Sequence, residues 1–148
     1  MSGFESARVP AEALFIEGDE ILLIYPSVRD AEASLEAIDV EEGTYPAAYG
    51  PEGEPYDIRA EGPWVRITRG EGPNWPGELK GLLCSYLEGC EDPADADETL
   101  DALVARAWAI EHDHWQRCDA AEARAEMPIW AIVIVILVAV AGLYYALR

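Results

Sequence analysis

Apolar and polar positions change their period several times along the chain, and each change marks an element boundary. Ala13-Leu14-Phe15-Ile16-Glu17 and Glu20-Ile21-Leu22-Leu23-Ile24-Tyr25 are short, β-prone apolar runs separated by Gly18-Asp19. That spacing predicts two antiparallel strands joined by a tight hairpin. Pro26-Ser27 stops the second run, and Ser27 with Asp30 three residues on is a helix start signal. The predicted helix covers 28–38, with Val28, Ala31, Leu35 and Ile38 on its apolar face. Segments 45–49, 56–59 and 64–68 are rich in Tyr, Ile, Val and Trp, and Gly-Pro turns separate them. They read as two or three further strands.

Gly and Pro exclude regular structure from 70–77, and Trp75 within that loop is expected to cover the core. A helix then runs from Glu78 to about residue 88, with Leu79, Leu82, Leu83 and Tyr86 on one side. Acidic residues 91–97 separate it from a long helix over 98–126, for which Asp97 is the expected cap. Its stripe of Leu100, Leu103, Val104, Ala107, Trp108 and Ile110 should face the core before fading into an Ala-rich stalk.

Residues 128–147, PIWAIVIVILVAVAGLYYAL, carry no charge, and eleven of them are Ile, Val or Leu. As a helix they would be about 30 Å long, the thickness of a bilayer's hydrocarbon core. Trp130 at one end and Tyr144 with Tyr145 at the other match interfacial aromatic belts, and Pro128 suits a first helical turn. A C-terminal transmembrane helix is therefore expected. Gly142-x-x-x-Ala146 is a small-residue pattern through which two such helices could form a homodimer. Only Arg148 follows the span, and MSGFESARVPAEALF lacks the basic start and apolar run of a secretory signal. The expectation is a single-pass, tail-anchored protein with its soluble domain in the cytoplasm. Three cysteines, Cys84, Cys90 and Cys118, form no even framework and fit a reducing compartment.

These elements predict an α+β fold: a small antiparallel sheet of four or five strands packed on one face by two short helices and one long one. The chain divides into an acidic core domain (1–92), a long amphipathic helix with stalk (93–126) and the transmembrane anchor (128–147).

Charge sharpens the functional reading. The chain holds 29 Asp and Glu against 10 Lys and Arg, and all but Arg148 of these fall in residues 1–126. Such a surface repels nucleic-acid phosphates and anionic head groups and attracts basic proteins, although acidity also serves solubility alone. Arg59, Arg66 and Arg69 are the candidate cationic patch, unless cross-strand carboxylates neutralise them.

Glu111, His114 and Cys118 share one helical face and are the candidate metal ligands or catalytic groups. A di-iron centre would need a second Glu-x-x-His, which is missing, and Cys84 and Cys90 stand too far apart in sequence for the usual zinc spacing. On the structural reading, His114 lines the core edge. Asp92, Asp95 and Asp97 lack the glycine turn and terminal Glu of a calcium loop. No nucleophile elbow, Walker loop or GxGxxG occurs, so no cofactor is expected.

The expected function is a membrane-tethered, non-catalytic module that binds a basic protein through its acidic face. A specific form is an immunity- or antitoxin-like inhibitor of a cationic toxin. The alternatives are a metal-binding or enzymatic domain centred on Glu111, His114 and Cys118, and a scaffold acting through the span.

Overall fold

The computed structural model describes residues 8–125. They fall into two units divided between His112 and Asp113. In the first, strands β1 (Leu14–Glu17), β2 (Leu22–Tyr25), β3 (Ala47–Tyr49), β4 (Pro55–Glu61) and β5 (Trp64–Arg69) form one sheet. Its order is β2-β1-β3-β4-β5, with every neighbouring pair antiparallel. Helices α1 (Val28–Ser34), α2 (Ala37–Glu42), α3 (Pro76–Gly89) and α4 (Leu100–Ala125) complete the described chain. The α+β class and the five-stranded antiparallel sheet agree with the sequence reading; the number and placement of helices do not.

The helix expected over 28–38 is two helices. Ser27 caps α1 by accepting the Asp30 N–H at 3.2 Å, as the start signal implied. The backbone then turns extended at Leu35 (ψ 142°) and Glu36 (ψ 134°), and α2 sets off anew. This break buries Leu35 and leaves Ile38, expected on the apolar face, 58% exposed. Gly43 ends α2 in the left-handed conformation (φ 79°), while the Thr44 N–H reaches back to the Asp39 carbonyl at 3.0 Å.

Strand alternation sends side chains to two cores. Phe15, Leu22 and Ile24 pack with Leu79, Leu83 and Leu87 of α3 and Leu103, Val104, Ala107 and Trp108 of α4. Leu14, Ile16, Ala48, Val65 and Ile67 point the other way, against Ala31 and Leu35. The helices therefore cover both faces, not one as expected. Burying each large aliphatic side chain contributes about 1.5–3 kcal/mol, so both layers are needed to hold a sheet of such short strands.

Coverage by α3 and α4 reaches β1 and β2 but not the β4–β5 hairpin. On that open half-face Asp57, Arg59 and Glu61 of β4 lie opposite Thr68, Arg66 and Trp64 of β5, and Trp64 is 74% exposed. The outer edge of β5 is guarded from α1: Glu32 Oε1 accepts the Ile67 N–H at 2.8 Å and pairs with Arg66 at 3.5 Å. A carboxylate there blunts the edge against pairing with another chain.

Two helix starts differ from expectation. α3 begins at Pro76, where a proline's missing N–H costs nothing, two residues before the predicted start. α4 is capped by Thr99, whose hydroxyl accepts the Ala102 N–H at 3.3 Å, and not by Asp97. Among the described residues no helix is long and apolar enough to cross a membrane. The expected anchor, 128–147, with Trp130, Gly142, Tyr144 and Tyr145, lies outside them.

Candidate functional site

The Glu111, His114 and Cys118 positions all fall on α4, but the structure gives them different surroundings. Glu111 is half-buried and faces α3, where its carboxylate accepts the Tyr86 hydroxyl at 3.1 Å. His114 is exposed and does not line the core edge. The Cys118 side chain is outside the described set. Among the described residues no group of three or more His, Cys, Asp or Glu side chains is arranged to hold a metal.

Arg59 and Arg66 are direct cross-strand partners, whereas Arg69 is paired with Tyr56 and points to the opposite face of the sheet. The three do not share a surface. Two like charges placed opposite one another repel, and flanking carboxylates offset this: Asp57 stands 3.8 Å from Arg59, and Glu61 3.7 Å from Arg66. Arg106 binds both Glu98 and Asp92, tying the acidic loop to α4, and Arg117 pairs with Asp113 one turn away. Lys80 donates to the Glu98 carbonyl at 2.7 Å. These bases are engaged within the protein. No charged residue is buried among the described residues, so the acidic excess is carried on the surface.

Tyr86, which donates to Glu111, is one of the residues lining a half-open groove of about 340 Å³ between the β1–β2 loop and α3. The hairpin loop that lines one side of the groove is longer than predicted. Glu17 pairs with Leu22, leaving residues 18–21 as a four-residue loop closed by Gly18 N–H to the Ile21 carbonyl at 3.0 Å. A two-residue turn at Gly18-Asp19 would have placed Ile21 inside the strand. Instead Ile21 stands 65% exposed at the groove mouth.

Leu22 and Leu82 supply apolar wall, and Glu17, Asp19 and Glu20 supply an acidic lip. Ser85 and Cys90 line the α3 side, but Ser85 already donates to the Gly81 carbonyl at 3.2 Å. Cys90 is a free, exposed thiol. Burial pushes the Tyr86 hydroxyl well above its ordinary value of 10.0, and the negative charge of Glu111 and then the Cys90 sulfur add to the shift. Tyr86 is therefore a neutral donor to Glu111 at physiological pH.

A shallower depression of about 350 Å³ lies beyond the α3 N-terminus, lined by Tyr49, Pro55, Trp75 and Glu78 among others. Trp75 is 49% exposed here and does not seal the core as expected. The Trp75 backbone N–H donates to the Gly53 carbonyl at 2.7 Å, and Gly53 has φ 84°. A Cβ at Gly53 would sit 2.7 Å from Pro76 N, so only glycine admits this approach.

The sequence marks Glu111 but not the groove lined by its hydrogen-bond partner Tyr86. By pattern Asp19 belongs to a turn and Glu20 and Ile21 to a strand, and the one signal of the loop is an aliphatic residue directly following two acids next to Gly18. Comparison with protein-family models, with curated proteins and with solved structures finds no match for this chain.

Proposed function

We propose that the protein is a non-catalytic interaction module, tethered to a membrane by residues 128–147, that binds a basic protein partner through its acidic surface. The observation that supports this reading most is the disposition of charge. With 29 acids to 10 bases in the chain, four arginines are held in internal ion pairs and no acid is buried among the described residues. The surface thus presents a net negative field that steers cationic surfaces toward it and disfavours nucleic acid.

The reading as an enzyme has weaker support, because His114 is exposed and Tyr86 is held neutral on Glu111. The tether rests on sequence: an uncharged apolar stretch of the length of a span, with aromatic residues near both ends.

The test is affinity purification from detergent-solubilised cells, using the full chain beside a version lacking 128–147, each washed at low and at high salt. A partner of high isoelectric point, retained by both forms and released by salt, is the expected result. Partners retained only by the full chain and indifferent to salt would overturn the acidic-surface reading in favour of a scaffold acting through the span.

A further inference from the structure

The groove between the β1–β2 loop and α3 combines features that the charge argument alone does not require. Its volume of about 340 Å³ is at the small end of ligand pockets, which begin at roughly 300 Å³, and one side is open. That suits a single large side chain better than an enclosed small molecule. Its wall is aliphatic, from Leu22 and Leu82, and Ile21 projects at the mouth with 65% of its surface in water. Like Ile38, Ile21 is an aliphatic side chain left outside both cores, but Ile21 alone of the two borders a groove. Covering it would remove apolar area from water at about 25 cal/mol per Å².

The lip has one sign of charge. Glu17 at the end of β1 and Asp19 and Glu20 on the loop lie within four residues of sequence, and among the described residues no Lys or Arg forms an ion pair with any of them. The walls are also pre-formed. On one side the loop is closed by its own backbone hydrogen bond, and on the other the Tyr86–Glu111 contact fixes α3 against α4. A fixed apolar slot under an acidic rim is complementary to an apolar side chain flanked by cations, the arrangement that concentrates binding energy in one buried anchor.

We propose that this groove is the docking seat for a basic partner segment: one large apolar side chain inserts between Ile21, Leu22 and Leu82, while neighbouring Lys or Arg residues bind Glu17, Asp19 and Glu20. The proposal rests on the reading of the protein as an acidic interaction module and names where, and by what chemistry, that module holds its partner.

The test uses the isotope-labelled full chain in non-ionic detergent micelles and two synthetic peptides of equal positive charge, one with a central Leu and one with Ser in its place. The Leu peptide should shift backbone amides of residues 18–22 and 82–90 and bind about tenfold more tightly than the Ser peptide, the factor that 1.4 kcal/mol of apolar burial represents. A Glu17→Gln, Asp19→Asn, Glu20→Gln variant should weaken the Leu peptide at least fivefold and flatten its salt dependence. Ile21→Ser should reduce the preference for Leu over Ser. The control is Glu36→Gln, Glu41→Gln, Glu42→Gln, the same charge change around α2, and it should leave binding within twofold.

If both peptides bind equally, with shifts spread over the surface and equal losses in the two triple variants, the groove is overturned and the acidic-module reading stands. If neither peptide shows salt-sensitive binding, both are overturned.

Discussion

Removing the Tyr86 hydroxyl by Tyr86→Phe probes the contact that ties this groove-lining residue of α3 to α4, and it leaves two separate signatures. At neutral pH the variant loses a hydrogen bond of 3.1 Å to a carboxylate in a half-buried setting, a contact whose net contribution is about 1.5–3 kcal/mol when the acceptor is charged. Partial access of water to Glu111 places the expected loss near the lower end of that range. The second signature is alkaline. The Tyr86 pKa is raised in the folded protein, so its contribution to stability is fully present below pH 10.0 and is lost as pH rises above it, because the unfolded chain releases the proton first. Each pH unit in that window costs about 1.4 kcal/mol for one such group. Tyr25, Tyr45 and Tyr49 are shifted in the same direction, chiefly by burial, so only the difference between wild type and variant isolates Tyr86. Urea unfolding of both proteins, followed by tryptophan fluorescence from pH 7 to about 11.5, gives that difference. The gap should be widest below pH 10 and should close as pH rises. A gap that is absent at pH 7, or constant across the alkaline range, would refute the assignment of Tyr86 as a neutral donor held by Glu111.

Other consequences follow from single contacts. Glu32→Ala leaves the Ile67 N–H at the sheet edge without its acceptor and should destabilise by about 1–3 kcal/mol, whereas Glu32→Gln, which keeps an acceptor oxygen, should cost under about 1 kcal/mol; equal losses would show that the Arg66 pair and not the edge contact matters. Gly53→Ala combines a left-handed backbone with a clash against Pro76 and should cost about 1–3 kcal/mol or more, with an altered Trp75 fluorescence maximum; an unchanged melting temperature would contradict the close approach. Hydrogen bonding from Arg106 holds the Glu98 pKa below its ordinary 4.5, so the stability it gives is present above that range and is lost as pH falls through the lowered value. In thermal melts against pH, Arg106→Gln should lie furthest below wild type near neutrality and converge with it in acid; parallel curves would dismiss the linkage.

Most of the fold was legible because local pattern and final environment agree. Alternation in β5 matches its one buried face and in β4 its one partly buried face, and the leucines at 79, 83, 87 and 103 fall where a helical period puts them. The misreadings share a cause: tertiary contacts chose between locally equivalent options. Nothing in Val-Arg-Asp-Ala-Glu-Ala-Ser-Leu-Glu-Ala-Ile breaks a helix, yet burial of Leu35 in the core beneath α1 does so. Asp95, Asp97 and Thr99 are all competent caps, and the binding of Glu98 to Arg106 accompanies the choice of Thr99. Which sheet face each helix covers depends on strand order, which no local pattern encodes. The groove was invisible for the same reason, since its walls come from residues 17–22 and 82–90 and meet only when α3 packs on β2.

The most direct test of the central claim is the salt dependence of binding between the full chain and the partner recovered by affinity purification. The Debye length shortens from about 10 Å at 0.1 M salt to about 3 Å at 1 M, so an interface led by surface carboxylates weakens steeply over that range. The account predicts a tenfold or greater rise in Kd between 0.1 and 0.5 M sodium chloride, with a partner of high isoelectric point, as an order of magnitude for several screened charge pairs. A Kd that holds constant across that range, or a partner as acidic as this chain, would contradict it.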